Sequence, residues 1–201
     1  MLAIEDNSCV QNRRKTKSGA SDLPDEFYRH RTVQVAISGI VAALYATTLI
    51  LFSFFSFGPI QFRVADSLMP LALVFGYSGA SGLSIGCLVG NYFGFMTGIT
   101  SPIDVLGGAI ANLLAGVIGY KLYQIFATRG KKGFTWVQLT ILVQNILVTL
   151  VVGSYMAVLV PLPPDLATSL VLWYAGLFLG SIISMNILGY LVYKMTRVGL
   201  L

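Results

Sequence analysis

The stretch Gly58 to Leu68 reads GPIQFRVADSL, with apolar and polar residues alternating from Ile60 to Val64. As an extended segment it turns Gln61 and Arg63 to one face. Asp66 follows, where the chain enters its next helix, and there it either caps that helix or joins Arg63 in a polar lid beside a membrane pocket. Asp104, Gly108 and Asn112 are spaced four apart and stack on one helical face, with the carboxylate at the rim and the carboxamide two turns deeper. Such a face presents acceptors and donors to a hydrogen-bonding solute. The alternative is that Asp104 caps its helix after Pro102 while Asn112 bonds to a neighbouring helix. Asn91, flanked by Gly90 and Tyr92, and Asn145, next to Gln144, are further amides inside apolar runs, where amides face a bundle interior. Asn186 lies further from the proposed rim. Trp173 serves either an interfacial aromatic belt or as a stacking surface for a planar ligand.

Catalysis fits this set poorly. No G-x-x-x-x-G-K-[ST] phosphate loop occurs, and the single histidine, His30, stands outside the apolar runs. No Ser–His pair or Cys/His metal set is available, and Cys9 in the polar tail is not expected to meet Cys87 in an apolar run. The expectation is therefore a binding and transport protein without catalytic residues, metal or cofactor.

What must position these residues is an oily helical frame. Of the 201 residues 56% are hydrophobic and 10% charged, and mean hydropathy is +0.79, which excludes a water-soluble globule. Residues 33–57, 67–103, 105–120, 133–164 and 166–193 contain no Asp, Glu, Lys or Arg. A bilayer crossing takes about 20 such residues. None of the runs alternates as an outer-membrane barrel strand does, so the spans are helices.

The run 67–103 as one helix would reach about 55 Å, nearly twice the hydrocarbon thickness. Its Gly76-Tyr77-Ser78-Gly79-Ala80-Ser81-Gly82 segment instead predicts the turn of a hairpin between two short spans of about 15 residues each. The other spans are Val33 to Phe57, Pro102 to Ala127, Trp136 to Leu159 and Ala167 to Lys194, with Gly58-Pro59 and Pro161, Pro163 and Pro164 as breakers. Every Lys and Arg except Arg63 falls in one of three groups: the tail with Arg31, Lys121 to Lys132, and Lys194 with Arg197. Six spans put all three on one side, the positive-inside pattern of a plasma-membrane protein with cytoplasmic termini. The net charge of +5 is thereby explained without nucleic acid. Residues 1–30 read as a polar cytoplasmic leader, without an apolar signal region, and residues 31–201 as an all-α transmembrane domain.

Small residues recur every fourth position in two spans. Span 1 carries the rows Ser38, Ala42, Ala46 and Gly39, Ala43, Thr47; span 4 carries Gly107, Ala111, Ala115, Gly119. Such rows let helices approach closely, within the chain or at a partner.

The strings GPIQFRVADSL (Gly58 to Leu68), GLSIGCLVGNYFG (Gly82 to Gly94) and SPIDVLGGAIANLLAGVIGY (Ser101 to Tyr120) resemble the QueT family of queuosine-precursor transporters, which are substrate-binding S components of energy-coupling factor (ECF) importers. Where the family shows Glu in its R-x-x-E string, this chain has Asp66. The resemblance implies a six-helix S component that binds a small molecule under its first outer loop, with Gln61, Arg63, Asp66, Asn91, Asp104, Asn112, Asn145 and Trp173 as site residues. It implies a transmembrane T subunit, contacted by Ala42 and Ala46, and two cytoplasmic ATPases that supply the hydrolysis. Three rival readings stand beside it: an S component for another vitamin or base, an autonomous transporter or channel, and an intramembrane enzyme.

Overall fold

A computed structural model describes residues 31–53, 62–131, 133–159 and 165–199. These are all-helical, and the described residues run through six helical units: α1 (Arg31–Leu51), a short unit made of a 3-10 turn (Val64–Leu68) and α2 (Leu71–Phe75), α3 (Tyr77–Met96), α4 (Pro102–Thr128), α5 (Phe134–Leu159), and a last helix running Leu166–Gly199. The last one consists of α6 (Leu166–Ser181), a π-helical stretch (Ile182–Leu188) and α7 (Gly189–Gly199). Four units, α1, α4, α5 and the last, are long and apolar enough to cross a bilayer. The expected leader, the Gly58-Pro59 stop and the Pro161 to Pro164 breaker lie outside the described residues.

The hairpin in 67–103 exists, but its turn is narrower than the sequence suggests. One residue makes it: Gly76, at φ 63, a left-handed value that side chains rarely adopt. The run Tyr77 to Gly82, read as loop, is already helical, so the two arms are unequal, with 20 residues in α3 and about half as many before the turn. The small residues serve close packing instead of turning. Ser38 of α1 donates its hydroxyl to the Ser78 carbonyl (2.9 Å) and shares a hydrogen bond with the Ser81 hydroxyl (3.0 Å).

Below that contact α3 lays a glycine row, Gly82, Gly86 and Gly90, along α1. A Cβ added at Gly86 would stand 2.6 Å from the Ala42 carbonyl oxygen, and one at Gly82 would stand 2.7 Å from that of Ser38. No side chain fits there. The row Ser38, Ala42, Ala46 therefore faces α3, with Ala46 buried and Ala42 at the border, so the partner contact expected at Ala46 is corrected: that face is used within the chain, while Gly39, Ala43 and Thr47 are exposed on the other side.

From α3 the packing passes to α4, then α5, then α6. The short unit from Val64 to Phe75 fills the interior, touching α1, α3, α4, α7 and the π stretch, with Ala65, Met69 and Ala72 fully buried. The stripe expected on span 4 is used within the chain: Gly107 seats the Tyr155 ring and Gly119 the Gln144 side chain, both from α5. Asp165 caps α6, accepting from the Ala167 and Thr168 amides at 3.1 and 3.3 Å. The Thr168 hydroxyl, 2.6 Å away, holds this exposed carboxylate below its usual pKa.

Candidate functional site

Arg63 precedes the 3-10 turn and Asp66 sits inside it. The capping reading does not hold for Asp66: the cap position is Arg63, without a side-chain cap. The tight turn instead aims the Asp66 side chain at α1. Tyr45 of α1 donates its hydroxyl to Asp66 Oδ1 at 2.5 Å, and Arg63 Nε stands 3.7 Å from Asp66 Oδ2. Arg63 Nη2 reaches the Tyr45 oxygen and Cys87 Sγ of α3, each at 3.4 Å. Arg63 is 3% exposed and Asp66 fully buried. A guanidinium is held inside a membrane bundle only where it is charge-compensated and hydrogen-bonded, as here.

One turn along α3, Asn91 donates to Cys87 Sγ (3.4 Å) and to the Asp104 main-chain carbonyl (2.9 Å). Its amide lies against Gly108 of α4, where a Cβ would come within 2.5 Å of Asn91 Nδ2. Asp104 stands in the first turn of α4. Ser101 is the cap, its hydroxyl facing the Asp104 amide, so the Asp104 carboxylate is released from capping. That carboxylate accepts from the Tyr155 hydroxyl of α5 (2.5 Å) and from the Thr100 hydroxyl (2.8 Å). Through Asn91 and Cys87, Asp104 is linked to Arg63. One buried cation and two carboxyl groups thus belong to one network.

Arg63, Asp66, Asn91 and Asp104 form one connected network, and Asn112, 2% exposed, lies two turns below Asp104 on the same face of α4. Asn145 and Trp173 are buried on α5 and α6; the Asn145 amide oxygen accepts from Thr149 at 3.2 Å. Gln61 lies outside the described residues. Three members were missed from the sequence: Tyr45, Cys87 and Tyr155. A tyrosine inside an apolar run signals only that its phenol needs some hydrogen-bond partner, not that the partner is a site residue.

Several buried polar atoms make no hydrogen bond within the described residues: Arg63 Nε, Asp66 Oδ2, Asn91 Oδ1, Asn112 Nδ2 and Asn145 Nδ2. Leaving one such group unsatisfied costs about 1–3 kcal/mol. Donors and acceptors are both represented, which suits a solute whose own edge alternates the two.

A family model described as QueT transporter matches residues 35–197. The queuosine precursor transporter QueT of Lactococcus lactis subsp. cremoris is 30% identical over 110 residues, covering 54% of this chain and 59% of that protein. The aligned part thus spans about three fifths of that relative's length. No solved structure matches the chain.

Proposed function

The chain belongs to the QueT transporter family, and on that premise we propose that it is the substrate-binding S component of an energy-coupling factor importer that takes up a queuosine precursor of the 7-deazaguanine type. The observation that carries this reading is the buried polar network joining Arg63, Asp66, Asn91 and Asp104 within an apolar bundle. A guanine-like edge offers N–H donors to a carboxylate and acceptors to guanidinium or amide N–H groups. The unpaired atoms of Asn91, Asn112 and Asn145 supply further sites of both kinds, and Trp173 a stacking face.

In this reading the solute enters from the outer side beside Arg63 and Asp66, and the basic groups at Lys121 to Lys131 and Lys194 to Arg197 face the cytoplasm. Tyr45 and Tyr155 hold the two carboxylates in place, so the site is formed before the solute arrives. The chain carries no phosphate loop, so a T subunit and two cytoplasmic ATPases supply the energy. The T subunit docks on the face of α1 bearing Gly39 and Ala43, with Ala42 at its border and Ala46 buried behind it.

Reconstitution tests the assignment. Liposomes containing this chain, a T subunit and the ATPases should accumulate a radiolabelled 7-deazaguanine precursor when ATP is enclosed, and liposomes with this chain alone should not. Equal flux through the chain alone would make it an autonomous transporter.

A further inference from the structure

Charge is divided between the two ends of the bundle. Among the described residues the carboxylates are Asp66, Asp104 and Asp165: Asp104 and Asp165 stand where α4 and α6 begin, and Asp66 is buried inside the bundle. Lys121, Arg129, Lys131, Lys194 and Arg197 all lie at the opposite end, and all are exposed. No described carboxylate stands there to neutralise them.

The cations are also held in place. Arg197 Nη1 donates to the hydroxyls of Tyr123 and Tyr193, each at 3.1 Å, and those two hydroxyls are hydrogen-bonded to each other at 2.8 Å. Phenols orient a guanidinium without cancelling its charge, so the remaining N–H donors of Arg197 are directed outward as a fixed cationic fork. At the same end, the Lys131 ammonium sits 4.1 Å from the centre of the Trp136 ring. Trp136 in turn packs on Phe126, with ring centres 4.8 Å apart. Tyrosine and tryptophan at the level where spans leave the hydrocarbon, interleaved with Lys and Arg, match the chemistry of a phospholipid headgroup: an apolar body below and a phosphate above.

We propose that this end of the bundle binds anionic phospholipid, with Arg197 and Lys131 as the phosphate contacts, the half-buried Trp136 as the interfacial seat, and the Tyr123 and Tyr193 hydroxyls, whose rings pack inside the bundle, as the brace that holds Arg197. Basic clusters at the ends of transmembrane helices attract anionic lipid, and each charge contributes roughly a fivefold change in affinity. An acidic protein surface is the competing occupant. The half-buried Trp136 and the exposed Phe134 beside it favour lipid, because an apolar ring next to a basic group suits an acyl chain below a phosphate better than an acidic protein surface.

The test uses the full chain in nanodiscs of equal parts phosphatidylglycerol and phosphatidylcholine, with retained lipids counted by native mass spectrometry after release. Wild type should retain phosphatidylglycerol in preference to phosphatidylcholine. Arg197→Gln with Lys131→Gln should reduce that preference at least about fivefold, while a thermal melt and precursor binding at the far end stay unchanged. Equal retention of the two lipids by wild type, or an undiminished preference in the double variant, overturns the proposal. Loss of assembly with a T subunit in the double variant, without any lipid preference in wild type, also overturns it and gives the patch to a protein.

Discussion

Tyr45 and Asp66, 21 residues apart, are joined by a 2.5 Å hydrogen bond that fastens α1 to the buried 3-10 turn. The same phenol oxygen accepts from Arg63, so one side chain of α1 positions both charges of the turn. Tyr45→Phe keeps the ring and its packing but leaves Asp66 Oδ1 without its donor. The loss should cost about 1–3 kcal/mol, read as a lower melting temperature, with precursor affinity reduced at least about fivefold. A melting temperature and affinity both equal to wild type would show that the bond positions nothing.

The glycine row of α3 separates packing from composition. Gly86→Ala forces a Cβ to within 2.6 Å of the Ala42 carbonyl oxygen and should part α1 from α3, destabilising the bundle by about 1–3 kcal/mol. Gly39→Ala meets nothing within 4 Å and should be neutral or slightly stabilising. Thermal melts of the two variants in the same detergent compare them directly, and equal melting temperatures would contradict the α1–α3 contact.

The two faces of α1 should separate binding from transport. Ala43→Trp adds bulk on the exposed face and should abolish uptake by the full complex while precursor binding to the isolated chain stays unchanged. Ala46→Trp adds it in the buried row and should impair both. Binding lost in Ala43→Trp, or kept in Ala46→Trp with uptake gone, would reverse the assignment of the faces.

Ligand charge should matter as well. Arg63 shares its buried network with two carboxyl groups, Asp66 and Asp104, so a precursor bearing a primary ammonium balances the network and a neutral one does not. A 7-deazaguanine with an aminomethyl arm should bind at least about tenfold tighter, or about 1.4 kcal/mol, than the same ring with a neutral nitrile arm. Calorimetry with the two ligands measures the ratio, and a ratio of one would remove charge from the recognition.

Much of this frame is legible before any coordinates. Charge-free runs mark the long helices because a bilayer forbids ionised side chains along most of a span. The four-residue spacing from Asp104 to Asn112 puts both on one buried face of α4, as helical geometry requires. The hairpin was legible from length, but its turn was drawn too wide, because the Gly/Ser run that reads as a breaker in water is a packing surface in a membrane. Tyr45 and Tyr155 were invisible as site residues, since an aromatic within a span has the same local pattern whether it fills a core or holds a carboxylate. That difference arises only from the partners the fold brings: Asp66 from 21 residues away and Asp104 from 51.

The central claim is that the buried network of Arg63, Asp66, Asn91 and Asp104 grips the transported solute. The most direct measurement is the affinity of purified wild type, Arg63→Ala and Asp104→Ala for a 7-deazaguanine precursor, by calorimetry on samples whose melts show an intact fold. Saturable binding by wild type, weakened at least about tenfold in each variant, is the predicted result. Wild-type affinity in both variants, or no binding by the wild type, would contradict it.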